Sequence, residues 1–159
     1  MLNAIESVVL AAIIAMSVGG VAVADPFDDA VAAYNREDFA TAIPLFRPLA
    51  DQGNADAQYV LAMMYRVGDG VPENGAEAVR WYRKAADQGL APAQLGLGLM
   101  YANGEGVPQN DVEAYMWWNL AAAQGEDDAK ENKAILEKRM TREQIAEAQK
   151  LSAEWKPTK

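Results

Sequence analysis

The apolar positions of this chain recur at helical spacing. Ala57, Leu61, Met64 and Tyr65 stand at i, i+4, i+7 and i+8, which is one face of a helix. Ala78, Trp81, Tyr82, Ala85 and Ala86 form a second stripe that stops at Gly89. Glycine at that point takes the left-handed conformation that ends a helix at little cost. Both stripes return further on. Gly53, Gly89 and Gly125 are 36 residues apart, as are Gln52, Gln88 and Gln124. Aligning 53–88 with 89–124 gives identity at 18 of 36 positions, far above chance. Upstream, "AIPLFRPLADQG" (42–53) fits the back half of the same unit, with Phe46 in the place of Tyr82. Two short helices per unit, neither able to bury its face alone, predict stacked units: an all-α, short solenoid of antiparallel helix pairs.

The chain then divides into an N-terminal half repeat (25–52), a first repeat (53–88), a second repeat (89–124), and a C-terminal segment (125–159). In that last segment, 127–140 and 141–155 read as two charged amphipathic helices that cap the final repeat. Thr141 with Gln144 three residues on matches a capping box. The tail "KPTK" is expected to fray. Pro44 and Pro48 lie inside the helix expected over 39–51, which should therefore start late or bend.

Each unit contains the same loop, "YRVGDGVPEN" at 65–74 and "YANGEGVPQN" at 101–110. Gly68, Gly70, Gly104 and Gly106 supply positive φ so that the chain can reverse between antiparallel helices. Val71 should pack onto the core. Asn74 with Glu77, and Asn110 with Glu113, match an N-cap and its reciprocal partner. No third glycine and no lysine follow, so neither loop can cradle phosphate in the manner of a nucleotide-binding turn. The series of oxygen ligands that a calcium loop needs is also missing.

The residues A-x-A-Q-x-x-L, Y-x-x-G-x-G-V, A-x-x-W and A-A-x-x-G resemble the Sel-one-like repeat (SLR) family, over residues 30–125. The resemblance implies tetratricopeptide-like helix pairs in a right-handed superhelix and an adaptor that binds other proteins. A cysteine-rich branch of that family, linked to penicillin binding, depends on disulfides. This chain has no cysteine, so that activity is not carried over.

Composition narrows the function further. With 14 basic and 23 acidic residues the formal charge is −9, which disfavours nucleic acid and anionic lipid surfaces as partners. Cysteine and histidine are both absent, which removes thiol nucleophiles, His-based triads and the usual zinc sites. No catalytic, cofactor or metal residue is expected. Residues 1–24 read as a signal peptide. The run "VVLAAIIAMSVGGVAVA" is uncharged and ends in an A-x-A pattern, with cleavage after Ala24 and a periplasmic or secreted mature form. A retained anchor is the alternative, and would be the chain's one link to a membrane.

Positions that differ between the two repeats are not fixed by packing. Tyr59, Met63, Arg66, Leu95, Leu99 and Asn103 are therefore the candidate groove residues for a peptide or protein segment; neighbour packing is the competing assignment. Gly68, Gly70, Trp81, Gly104, Gly106 and Trp117 are structural signature positions. A different function, a cell-envelope hydrolase or glycan binder, would use carboxylates and a Trp117/Trp118 platform.

Overall fold

The structure, a computed structural model, describes residues 25–158; the expected signal peptide lies outside the described residues. Among those residues there are eight helices and no strand. The half repeat contributes α1 (Pro26–Asn35) and α2 (Phe39–Asp51). The first repeat contributes α3 (Ala55–Val67) and α4 (Gly75–Asp87), and the second α5 (Ala91–Asn103) and α6 (Asp111–Ala123). The C-terminal segment contributes α7 (Asp127–Glu137) and α8 (Arg142–Glu154). From α1 to α7 each helix packs on its neighbours in sequence, which makes a solenoid of helix pairs.

One continuous core runs through the stack. Ala57, Leu61 and Met64 of α3 are buried, as are their counterparts Ala93, Leu97 and Met100 of α5. Trp81 and Trp117 from the second helices lie between them, 0% and 1% exposed. Phe46 fills the place of Tyr82 in the half repeat and is fully buried. Alanines at the remaining contact positions let the helix axes approach closely.

Polar side chains tie the units together in the same register. The buried Gln58 amide donates to the Ala50 carbonyl (2.9 Å) and its oxygen accepts from Gln88 (2.8 Å). One repeat later, Gln94 donates to the Ala86 carbonyl (3.2 Å) and accepts from Gln124 (2.9 Å). Arg47 donates to the Tyr65 hydroxyl and Arg83 to the Tyr101 hydroxyl, again 36 positions apart. The bonds to the Ala50 and Ala86 carbonyls and the two Arg–Tyr bonds cross from one unit to the next, while the glutamine pairs join the two ends of a single unit. Burying these amides is tolerated because every one finds a partner.

Three expectations are corrected. The helix 39–51 starts at Phe39 and runs unbroken through both prolines. Pro44 and Pro48 are exposed and four residues apart, so the carbonyls they leave unbonded share the solvent face. The loop asparagines do cap α4 and α6: Asn74 accepts from the Glu77 N–H (3.1 Å), and Asn110 from Val112 (3.0 Å) and Glu113 (3.1 Å). The glutamates do not reciprocate. The Asn74 and Asn110 N–H groups already donate to the Tyr65 and Tyr101 carbonyls (2.8 and 3.0 Å), and Glu77 pairs with Arg80. The full capping box forms at Thr141 and Gln144. Finally, the tail is docked: the Thr158 N–H donates to the Asp87 carbonyl at 2.7 Å.

The second glycine of each loop does more than turn the chain. A Cβ on Gly70 would lie 2.4 Å from Phe39 Cβ, and one on Gly106 would lie 2.0 Å from the Gly75 carbonyl carbon. Phe39 and Gly75 are the first residues of α2 and α4, so each loop seats on the preceding unit.

Candidate functional site

The first helices of successive units present matching positions. Met63 of α3, Leu99 of α5 and Ile135 of α7 are 36 residues apart, and their exposure rises along that series. Met63 is 5% exposed, Leu99 is half-buried and Ile135 is 56% exposed. Helix α7 is a third, altered first helix. Ala129 and Leu136 are buried where Ala93 and Met100 stand in α5. Lys133 occupies the place of Leu97 and reaches Asn119 (2.9 Å) and the Tyr115 ring (5.4 Å to its centroid).

A cleft of about 200 Å³ opens between α5 and α7, with Leu99, Asn103, Trp118, Ile135 and Arg139 on its walls. Its floor depends on a glycine: a Cβ on Gly98 would fall 2.4 Å from Trp118 Nε1, so only glycine lets that indole lie against α5. The Trp118 N–H then donates to the Leu95 carbonyl (3.1 Å). One end of the cleft is fixed by Arg139, which holds Asp111 through two bonds of 2.9 and 2.7 Å.

Glu105, between the loop glycines, links two candidate residues. It accepts from Arg66 (3.2 Å) and from Asn103 (2.9 Å). For Arg66, burial opposes the charge, but the Tyr82 hydroxyl and the Glu105 carboxylate more than offset it and raise the guanidinium pKa. Glu105 and Ile135 were not among the residues singled out from sequence. Glu105 stands where Asp69 stands in the first loop and is marked only by its contacts to Arg66 and Asn103, whereas Ile135 is one repeat beyond Leu99 and needed a continuation of the register into less similar sequence.

Leu99 and Asn103 thus share a cleft, and Arg66 joins Asn103 through Glu105. Leu95 contributes its carbonyl. Tyr59 and Met63 are buried, 7% and 5% exposed, with the Tyr59 ring 6.0 Å from that of Tyr82. Trp117 and Trp118 are buried at 1% and 4%, so neither offers a face on which a sugar could stack. That correction removes the platform of the glycan-binding alternative. Among the described residues no group of three or more acidic, His or Cys side chains is placed to hold a metal ion, and no helix is long and apolar enough to cross a membrane.

Stacked helix pairs with register-repeated ties and a cleft between first helices define a helical-repeat protein. Residues 55–90 and 91–126 each match the Sel1 repeat, and the chain belongs to the Sel1-repeat, or SLR, proteins. Among solved structures it is similar to a protective antigen present in uropathogenic Escherichia coli strains displaying an SLR fold. That likeness has 34% identity and a TM-score of 0.77, over 83% of this chain and 30% of that one. It is also similar to a Sel1 repeat protein from Oxalobacter formigenes, with 31% identity and a TM-score of 0.67 over 80% of this chain and 55% of that one. The chain therefore spans about a third and just over half of these two proteins. No curated protein matches it. Sel1 repeats are generally protein-interaction modules and typically non-catalytic scaffolds.

Proposed function

We propose that this chain is a non-catalytic adaptor of the periplasm or secreted space, which receives a peptide or protein segment on the concave face formed by its first helices. The cleft between α5 and α7 is the centre of that surface. One observation carries the reading: among the described residues, the large hydrophobics left more than half exposed are Val67 and Ile135, both at the ends of first helices. Elsewhere such side chains are covered, and an exposed apolar group beside a cleft is what a segment with apolar anchors would cover. The compartment is supported by the uncharged run and the A-x-A pattern before Asp25.

Affinity capture with the 25–159 form, read by mass spectrometry, tests the binding reading. Ile135→Ser should lose the captured protein while helicity and melting temperature stay close to those of the parent. Unchanged capture by that variant would place the partner elsewhere. Osmotic-shock fractionation of the tagged full-length chain tests the compartment, and retention with cytosolic markers would refute it.

A further inference from the structure

Three corners of the solenoid, where a second helix turns into the next first helix, carry Gln-Gly pairs: Gln52-Gly53, Gln88-Gly89 and Gln124-Gly125. They are not equally covered. At the middle corner the chain's own tail lies across Gly89, where an added Cβ would meet the Trp155 ring at 3.7 Å and Pro157 at 3.9 Å. The Trp155 ring packs edge-on against Trp117, with centroids 6.3 Å apart. The Thr158 N–H donates to the Asp87 carbonyl at the end of α4 (2.7 Å), and Gln124 donates to the Gly89 carbonyl (3.0 Å). An extended aromatic-Lys-Pro-Thr segment is therefore already bound at a repeat corner. Its contacts are a main-chain hydrogen bond, an aromatic edge and flat packing over a glycine.

Thirty-six residues earlier the same corner is open. Nothing lies within 4 Å of a Cβ placed on Gly53. The Asp51 carbonyl, counterpart of the Asp87 carbonyl, takes no hydrogen bond from the described residues. Gln88 turns its amide to Gln58 (2.8 Å) and the Lys84 carbonyl (3.4 Å) rather than to Gly53. In place of the vacant contacts is a cleft of about 410 Å³, with Gln52, Gly53, Lys84 and Asp87 on its walls and Thr158 at its border. Two exchanges between the corners set the chemistry. Lys84 stands where the second corner has Leu120, and Asp87 where it has Ala123. Lys84 lies over the buried Trp81, its Nζ 4.3 Å from the ring centroid, so the lysine rather than the indole lines the cleft.

We propose that the Gly53 corner is a second binding site, separate from the α5–α7 cleft, for an extended segment of a partner protein with the chemistry of the tail: an aromatic residue, a lysine and a proline in sequence. The Asp51 carbonyl accepts a main-chain N–H of the segment, the ring and proline lie over Gly53 and the Lys84 stem, and the lysine faces the carboxylates of Asp51 and Asp87. The net negative charge of the chain draws a cationic segment towards it.

The probe is a blocked synthetic peptide with the sequence of residues 152–158, titrated into isotope-labelled chain and followed by amide chemical shifts. Saturable shifts are expected at Gln52, Gly53 and Gln88. Alanine in place of the peptide's tryptophan should weaken binding by about tenfold or more, given that aromatic anchors dominate such contacts. Gln52→Trp, which fills the mouth of the cleft from an exposed position, should abolish the shifts with the circular dichroism unchanged. Shifts confined to Gly89 and Trp117 would mean exchange with the chain's own tail and overturn the proposal. So would shifts confined to Leu99, Asn103 and Arg139, no saturation in the millimolar range, or a dimer held through its tails, which would make a second copy the occupant.

Discussion

Gly106 has to satisfy two requirements at once. Its φ is +67°, and the Gly75 main chain occupies the space a side chain would need. Gly125 has a φ of +103° but open space around it. The left-handed conformation alone costs an L-residue about 1–2 kcal/mol, whereas displacing backbone adds an overpacking cost of about 1–3 kcal/mol. Gly106→Ala should therefore destabilise by about 2–4 kcal/mol and Gly125→Ala by about 1 kcal/mol in urea unfolding. Equal losses would show that the two glycines serve the turn alone. The paired loops pointed to the turn requirement; the contact with the preceding unit involves residues 31 positions away and needed the fold.

At the scale of an element, the first helices lose their caps along the chain. Asn54 caps α3 by accepting from the Ala57 N–H (2.8 Å), but Leu90 and Glu126 give α5 and α7 no side-chain cap. Glu126 also has its pKa raised above 4.5, first by burial and then by Asp128 and Asp127. A carboxyl whose folded pKa is raised binds protons more readily in the folded state. Its contribution is favourable below the unfolded pKa and is lost as pH rises through the folded value. Glu126→Asn restores a cap and removes the charge, so it should stabilise by about 1 kcal/mol at pH 7. The gain should shrink as pH falls through the raised Glu126 value towards 4.5, and the charge part of it should be gone below that, where Glu126 is neutral in both states. Thermal melts of both proteins across that pH range check the sign, and a gain that grows on acidification would refute it. Helix α8 shows a different departure. Helices α4 and α6 begin at 75 and 111, and the same step would place the next second helix at 147, yet α8 begins at 142. The loop before it has lost the Gly-x-Gly turn, and α8 packs on α6 rather than pairing with α7.

For the whole molecule, that displacement lets the end of the chain close the stack. Leaving α8 along α6, the tail reaches the corner between α4 and α5 and ties the second repeat to the first. Trp155→Ala removes a half-buried ring from the Trp117 contact and should cost about 2 kcal/mol, below the loss for a fully buried tryptophan. Because one core runs from α1 to α8, unfolding should be a single transition, coincident by circular dichroism and tryptophan fluorescence. Separate transitions for the half repeat and the C-terminal helices would contradict a continuous core. The two single-residue costs, at Gly106 and Trp155, should add, since Gly106 packs on Gly75 and Ala76 whereas Trp155 packs on Gly89 and Trp117, with no partner shared.

The repeat, its helix pairs and its core were legible in the order of residues alone. Periodicity of 36 and the stripes of Ala, Leu, Trp and Tyr are local statements about which face each helix must bury. That order also marked the turn glycines and cap asparagines, because backbone conformation and first-turn N–H groups make their demands within a few residues. How positions in different units meet was set by the folded stack. It buried Tyr59 and Met63 while leaving their repeat-mates reachable, because each unit has different neighbours even where its own sequence repeats. It placed Ile135 beside Leu99 and folded the tail over Gly89, contacts set by the geometry of stacking. A repeat specifies its own fold; which of its surfaces stay open depends on what the ends of the chain cover.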